Sequence, residues 1–190
     1  MLLDCAAYVP TNRLDLTQVK PDFIPLSFYK MFGYPTGIGV LFVHREKLAK
    51  LRRPWFAGGT VAIVSTLIPS FFRAEDEAAF EDGTVNYLDI PAVEIGLKHL
   101  ETVGVDSIHQ RVLALTDYLL KEMMEITHHN DHPLVAIYGP SDISARGGTI
   151  AFNLLDPNGQ MYDVRLIEAL ASQARISLRT GCFCNPGAGE

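Results

Sequence analysis

The spacing of apolar and polar residues predicts a series of short strands and helices without any internal repeat. Residues 1–9 form a mostly apolar run with Asp4 embedded in it, and Pro10 ends the run, as is typical of a buried strand that leads into a turn. Two further apolar segments, 23–28 and 38–43, flank the glycine-bearing turn at 33–37. The pattern therefore predicts two neighbouring strands joined by a short connection.

The rest of the chain is predicted to contain a long irregular stretch followed by helices and strands. Residues 52–90 show little periodicity and are predicted to be loops, which at this length are usually functional or form interfaces. The predicted elements after them are helices from Pro91 and at 106–126 and 163–174, and strands at 134–138, 148–154 and 176–179. The predicted organisation is a first domain at 1–75, a linker or interface loop at 76–92 and an α+β domain at 93–190.

Composition narrows the class of protein. The chain has 190 residues, of which 48% are hydrophobic and 20% charged, so it is long enough to bury a substantial core. The net charge of -6, with no run of Lys and Arg, argues against binding to nucleic acid or to an anionic membrane. The sequence shows no signal-peptide pattern and no long apolar span, and we expect a cytoplasmic protein with free thiols.

The residues around Lys30 suggest that its amine has a functional role. A lysine is normally a solvated surface charge. Lys30, however, directly follows an apolar segment, has Ser27 and Tyr29 as hydroxyl neighbours and precedes a glycine turn. Such surroundings suit a lysine that forms a Schiff base with a cofactor whose phosphate is held by hydroxyl and backbone donors. Asp4 would be the matching carboxylate for a protonated pyridine nitrogen, and on the residues alone this pairing is only suggestive.

The C-terminal segment contains two cysteines close to an arginine. Cys182 and Cys184 form a C-x-C pair three residues after Arg179. Such a pair suits a soft-metal site, a redox couple, or a single reactive thiol with a bystander, and the spacing alone leaves all three open. The histidines at 128, 129 and 132 have no accompanying cysteine, so we expect no zinc site there.

Four segments together resemble the aminotransferase class V family. They are residues 3–9, 27–37, 80–84 and 179–187, and they occur in the family's order across essentially the whole chain. Within the family they look most like the desulfurase domain of molybdenum cofactor sulfurases. The resemblance implies the α/β fold type I of transferases that depend on pyridoxal 5'-phosphate (PLP). In that fold, 1–75 would be the C-terminal part of the PLP-binding large domain and 93–190 the small domain.

The resemblance also implies a set of cofactor contacts. PLP would be attached to Lys30, and Asp4 would pair with its pyridine nitrogen. The protein would form a homodimer, in which the loop at 83–84 of one subunit reaches the cofactor phosphate of the other. The implied phosphate contacts are Ser27, Tyr29, Gly83 and Thr84.

The same resemblance implies a substrate and a nucleophile. Arg179 matches the position that binds the substrate carboxylate, for which a bidentate guanidinium is well suited. Cys184 matches the nucleophile that takes sulfur from L-cysteine as a persulfide, and Cys182 would be a neighbour. The molybdenum cofactor would then be the sulfur acceptor. The alternatives are a general cysteine desulfurase or selenocysteine lyase, a non-catalytic partner of a full-length relative, and, third, a metal-binding C-x-C module.

The chain departs from the family's pattern in three respects. The long segment that precedes the Asp4 strand in the family has no counterpart here. Ala7 stands where many desulfurases carry a glutamine, and Gly189 stands where molybdenum cofactor sulfurases usually carry a third cysteine. We therefore expect a piece of a longer protein, and an isolated chain that is catalytically weak or inactive because it buries too little apolar surface.

Overall fold

The computed structural model describes residues 1–182. The chain divides into two compact units, of which the first is Met1–His109 and the second begins at Gln110. The predicted division into a large-domain part, a linker and a small domain stays a prediction.

The first unit contains an antiparallel pair of strands, as predicted. β1 (Phe23–Ser27) pairs with β2 (Gly39–Val43) in unbroken register, so that Phe23 lies opposite Val43 and Ser27 opposite Gly39. The connection contains a one-turn helix, α1 (Tyr29–Phe32). Lys30 therefore lies between two paired strands, which confirms its predicted place in the chain.

The first segment of the chain runs parallel to β1, but it is shorter than the strand predicted at 1–9. Leu3 donates its backbone N–H to the carbonyl of Phe23 at 2.9 Å, and Cys5 donates to that of Pro25 at 3.1 Å. Residues 6–11 form turns instead of continuing the strand. The backbone donors of Tyr8 and Val9 return to the Cys5 carbonyl at 3.1 Å, so they cannot take part in a sheet.

The loops predicted at 52–90 contain a hairpin that the pattern did not indicate. After the short helix α2 (Arg45–Leu48), β3 (Val61–Ser65) pairs antiparallel with β4 (Ser70–Arg73), and a 3₁₀ turn follows at Asp76–Ala79. The residues of β3 do not alternate in burial, and β4 alternates but with an apolar residue on its exposed side. A register irregularity lies between Val61 and Ile63, and Phe72 is 67% exposed. The β-branched content of β3 was the available signal.

The two predicted central helices are confirmed. α3 (Ile90–Val103) begins one residue before the predicted Pro91 and is followed by Gly104, whose φ of 88° lies in the region that glycine favours. α4 (Val105–Glu125) follows directly, and Leu100 and Leu120 are buried. Gly96 and Thr116 are buried as well, whereas Leu97, Leu115 and Leu119, which the helical spacing predicts to face the core, are exposed.

The second unit contains a strand pair and a helix close to the predicted positions. β5 (Val135–Tyr138) pairs antiparallel with β6 (Ala151–Leu154), and α5 (Val164–Gln173) follows. The Asp163 side chain caps α5 by accepting the backbone N–H of Arg165 at 2.9 Å.

The last predicted strand, at 176–179, is wrong. None of these residues belongs to a strand, although they are within the described part of the chain. Ile176 donates its N–H back to the carbonyl of Ala171 at 2.8 Å, while Arg175 adopts a φ of 60°. These are features of a helix C-terminal turn, and they use the first backbone donor that a strand would have needed.

Helix α3 holds the connection that carries Lys30. A Cβ atom on Gly96 would lie 2.5 Å from ring atoms of Phe32, which shows how closely α1 and α3 approach. Tyr34, just beyond α1, donates its hydroxyl to Oδ1 of Asp89 at 2.7 Å, immediately before α3 begins. Lys30 is therefore positioned through the residues that follow it. Phe32 packs against α3, and Tyr34 donates a hydrogen bond to Asp89 at the start of α3.

We expect Gly96→Ala to destabilise the first unit. The added methyl group cannot be accommodated unless Phe32 or α1 moves, and overpacking of this kind costs about 1–3 kcal/mol. Better helix propensity returns about 1 kcal/mol at most. Urea unfolding should show a lower free energy of unfolding for Gly96→Ala than for Gly147→Ala, because a Cβ on Gly147 would meet no atom within 4 Å. Equal stability of the two variants would contradict the contact.

The Tyr34–Asp89 hydrogen bond should make stability depend on pH. The Tyr34 hydroxyl, and second the Asn86 amide, lower the pKa of Asp89, while the Asp89 carboxylate raises the pKa of Tyr34. A lowered carboxyl pKa stabilises the fold above the unfolded value of about 3.9, and this contribution is lost as the pH falls through the folded value. A raised phenol pKa contributes below about pH 10 and is lost above it.

Tyr34→Phe should therefore be less stable than wild type between about pH 4 and pH 10, and the difference should shrink outside that range. Thermal unfolding across pH measures this directly. Tyr87→Phe serves as the control, since Tyr87 is also exposed and lies in the segment that directly precedes α3. A constant difference between Tyr34→Phe and wild type at pH 3 and pH 7 would exclude the assigned role.

Candidate functional site

Lys30 is exposed and is carried by the single turn of α1. The helix begins at Tyr29, two residues after β1 ends, and stops at Gly33, whose N–H donates to the Tyr29 carbonyl at 2.9 Å. The Lys30 ammonium lies 6.0 Å from the centre of the Tyr29 ring, at the outer limit of a cation–π contact. Its amine is thus accessible to a ligand while its backbone is fixed by the strands on either side.

Asp4 is held so that part of its carboxylate stays available. Its Oδ1 accepts the backbone N–H of Ala6 at 2.9 Å, a local turn that ends the first segment. The residue is exposed and lines a cleft of ≈ 240 Å³ together with Tyr8 and Arg13. An oriented carboxylate with a free oxygen can accept a hydrogen bond from a protonated ring nitrogen.

The parallel pairing of the first segment with β1 relates the predicted cofactor residues to one pair of strands. Parallel neighbours run the same way, so both segments end toward the same edge of the sheet. Ser27, Tyr29 and Lys30 lie at or beyond the carboxyl end of β1, whereas Asp4 lies beside Pro25. The cleft lined by Asp4 includes none of these three residues, and a shared ligand and their individual roles stay predictions.

Cys5, next to Asp4, is not a candidate nucleophile. It is 1% exposed, and burial, with a smaller effect of the Asp4 charge, raises the pKa of its thiol. A thiol in this state stays protonated near neutral pH and reacts slowly.

The loop at 83–84 lies against another glycine loop in the first unit. Gly83 has a φ of 69° and donates its N–H to the Gly58 carbonyl at 2.7 Å. A Cβ on Gly59 would lie only 2.8 Å from the Gly83 carbonyl oxygen, and Gly59 itself has a φ of 85°. Thr84 is exposed beside this contact. Both glycines are therefore required by backbone conformation or by close approach.

Arg53 belongs to this region and was missed by the sequence reasoning. Its side chain is 8% exposed, and Nη2 donates to Oδ1 of Asp82 at 2.6 Å. Nη1 donates to the Ala79 carbonyl at 3.3 Å, and the guanidinium lies 5.0 Å from the centre of the Trp55 ring. The Arg-Pro-Trp sequence within an apolar loop was the available signal, since buried arginines are commonly paired with an acid and stacked on an aromatic ring.

The second unit carries the predicted substrate residues. Arg179 is exposed, and Cys182 is a half-buried free thiol. Between them, Thr180 donates its hydroxyl to Oε2 of Glu168 on α5 at 2.7 Å, which fixes this part of the chain to the helix. Cys184, the predicted nucleophile, lies outside the described residues.

Within residues 1–182, no group of histidine, cysteine and acidic side chains is arranged to hold a metal ion. His128 is instead close to a backbone carbonyl, with Nε2 2.8 Å from the oxygen of Leu155. Over the same residues, no helix combines the length and the apolar character needed to cross a membrane.

Comparison with proteins of known sequence finds relatives over nearly the whole chain. The chain is 41% identical to molybdenum cofactor sulfurase of Bos taurus over 99% of its length, and 40% identical to that of Caenorhabditis elegans over 98%. It spans only 22% and 27% of the length of these two relatives.

Comparison with solved structures shows the fold. The chain matches a cysteine desulfurase from Thermococcus onnurineus NA1 with a TM-score of 0.76 at 24% identity, over 96% of this chain and 42% of that one. It matches C-DES, in a mutant with glycine covalently linked to the PLP cofactor, with a TM-score of 0.70 at 19% identity, over 92% and 42%. The predicted α/β class is confirmed, whereas the small-domain assignment stays a prediction.

A family model settles the membership that the four sequence segments suggested. The model described as aminotransferase class-V matches residues 1–188, which is almost the entire chain. The chain belongs to the aminotransferase class V family.

Proposed function

We propose that this chain forms part of a PLP-dependent cysteine desulfurase of the molybdenum cofactor sulfurase type. The observation that carries the proposal is the parallel pairing of the segment that contains Asp4 with β1, the strand whose carboxyl edge leads into Lys30. The sequence relatives are molybdenum cofactor sulfurases, and the solved neighbours include cysteine desulfurases.

The donor set at this edge fits PLP. Lys30 offers an accessible amine for covalent attachment, and Asp4 offers a fixed carboxylate oxygen to a protonated pyridine nitrogen. When bound, PLP acts as an electron sink for the carbanion formed at the substrate Cα. The role of Asp4 is to keep the ring nitrogen protonated, and the role of Lys30 is to hold the cofactor until substrate replaces it.

The proposed phosphate contacts combine hydroxyl and backbone donors. These are the donor types that bind phosphate without a large positive potential, consistent with a chain of net charge -6. In the proposed homodimer, the loop at 83–84 reaches the partner's cofactor. The residues concerned are Ser27, Tyr29, Gly83 and Thr84.

Arg179 and Cys184 are proposed to act on the substrate. The Arg179 guanidinium would bind the carboxylate of L-cysteine in a bidentate manner. The Cys184 thiolate would attack the substrate sulfur, so that the new S–S bond forms as the substrate C–S bond breaks. The electron pair of that bond stays on the substrate Cβ, which is protonated, and the remainder of the substrate leaves as alanine. The sulfur would then pass to the molybdenum cofactor. A general cysteine desulfurase would share all steps except this transfer, and a selenocysteine lyase would break a C–Se bond of selenocysteine instead.

A second candidate function is that of a non-catalytic partner of a longer relative. The observation that favours it is the apolar surface of the β3–β4 hairpin, where Leu67 is 95% exposed and Phe72 67% exposed. Exposed apolar side chains that are grouped on one surface are typical of sites where another protein binds. For the same reason we propose that the isolated chain turns over only slowly.

Lys30→Ala should abolish covalent attachment of PLP. The reason is that Lys30 is exposed and follows β1, whose parallel neighbour contains Asp4, the proposed partner of the ring nitrogen. The measurement is the absorbance of the protein-bound cofactor after gel filtration. Lys50→Ala, which removes an exposed lysine of the same unit, should retain it. Equal retention by both variants would overturn the assignment of Lys30.

Cys184→Ala should abolish persulfide formation, whereas Cys182→Ala should retain it. The chain loaded with PLP is incubated with L-cysteine, and intact-protein mass spectrometry detects the added sulfur over a single turnover. The reason is that one thiol must be positioned to attack the substrate sulfur and the other is a neighbour. Comparable losses in the two variants would indicate a paired role and contradict a single nucleophile.

A further inference from the structure

Arg53 is a buried cation with no role in the proposed reaction. Its side chain is 8% exposed, and its Nε atom has no hydrogen-bond partner among the described residues. A buried guanidinium is costly unless it is paired, and removal of a partner usually costs more than the pair itself contributes. The groups that Arg53 contacts therefore indicate which part of the structure it holds in place.

The two donors that Arg53 uses fix both ends of one short segment. Nη1 binds the carbonyl of Ala79, where the 3₁₀ turn ends, at 3.3 Å, and Nη2 binds the carboxylate of Asp82 at 2.6 Å. A guanidinium is planar and rigid, so these two contacts set the direction of the chain between residues 79 and 82. The centre of the Trp55 ring lies 5.0 Å from the guanidinium carbon, within the range of a cation–π contact.

The next residue is locked by backbone contacts. The N–H of Gly83 donates to the Gly58 carbonyl at 2.7 Å, and the Gly83 carbonyl lies against Gly59, where a Cβ would approach to 2.8 Å. Thr84 follows this locked residue and is exposed. The loop at 83–84 is therefore presented by a support that begins at Arg53.

The charge around the loop gives Arg53 a second effect. Glu81 and Asp82 directly precede Gly83, and two free carboxylates would repel an approaching dianion. The contact with Arg53 compensates the charge of Asp82. The pair thus both orients the loop and reduces its negative potential.

We propose that Arg53 and Asp82 form a positioning pair that holds the loop at 83–84 for binding the phosphate of PLP. The inference rests on the proposed function, since it assumes that this loop meets the cofactor phosphate. It assigns no catalytic role to Arg53, which acts only through Asp82 and the backbone.

The first test needs no cofactor. Amide hydrogen exchange of the unliganded chain should show that Gly83 exchanges at least about tenfold faster in Arg53→Met than in wild type, because the segment is no longer held. Amides at the centre of α3 should be unchanged, which shows that the unit remains folded. Arg52→Met is the matched control, since the neighbouring Arg52 is exposed and its bonds to described residues are those to the nearby Ala49 and Leu51 carbonyls.

The second test compares PLP with pyridoxal, which lacks the phosphate. Arg53→Met should raise the Kd for PLP by about tenfold or more, because small displacements of a binding group are costly. Its Kd for pyridoxal should stay within about twofold of wild type, since Asp4 and Lys30 are unaltered. Arg53→Lys, which retains the charge but not the forked guanidinium, should have a Kd for PLP between those of wild type and Arg53→Met. A merely structural role would weaken both ligands equally.

The outcomes separate the inference from the function on which it rests. If wild type binds PLP and Arg53→Met binds it equally well with unchanged exchange at Gly83, the positioning pair is wrong and the function stands. If wild type binds no PLP, the proposed function fails and the phosphate assignment fails with it. Should Arg53→Met not fold, Asp82→Asn is measured instead, because it changes the half-exposed member of the pair and keeps an acceptor oxygen. An unaltered ratio of the two Kd values in Asp82→Asn would then overturn the inference.

Discussion

The backbone hydrogen bonds between the first segment and β1 are the constraint on which the candidate cofactor site depends. Leu3 and Cys5 donate to β1 at 2.9 and 3.1 Å, and this register decides which way the Asp4 side chain points. Successive side chains of an extended segment alternate between the two faces of a sheet. A shift of the pairing by one residue would therefore place the Asp4 side chain on the opposite face. The Asp4–Ala6 turn then ends the segment beside the end of β1.

The exposed candidate residues are positioned by neighbours that are more buried or more tightly bonded. The connection that carries Lys30 is held by contacts of Phe32 and Tyr34 with α3. The loop at 83–84 is held through Arg53. This separation follows from chemistry, because a group that must reach a ligand cannot also be fixed by its own burial. Substitutions in the supporting layer should therefore impair binding without touching the ligand.

Local features were predictable from the sequence, and pairings between distant segments were not. The helical spacing after Pro91 and the strands that flank Lys30 were visible because they follow from periodicity within one segment. The β3–β4 hairpin was not, since its irregular register and apolar exposed residues hide the alternation of a strand. The Arg53–Asp82 pair spans 29 positions, so the Arg-Pro-Trp sequence could indicate a buried arginine but not its partner. The strand predicted at 176–179 failed because the turn that ends α5 uses the Ile176 donor.

Reduction of the PLP-loaded chain with borohydride, followed by peptide mass spectrometry, tests the central claim most directly. The account predicts a phosphopyridoxyl label on Lys30, and a lower yield of that label in Asp4→Ala but not in Asp15→Ala. The other lysines are Lys20, Lys47, Lys50, Lys98 and Lys121. Label distributed over these lysines, or a yield on Lys30 that does not depend on Asp4, would contradict a cofactor site built on the parallel pairing of the first segment with β1.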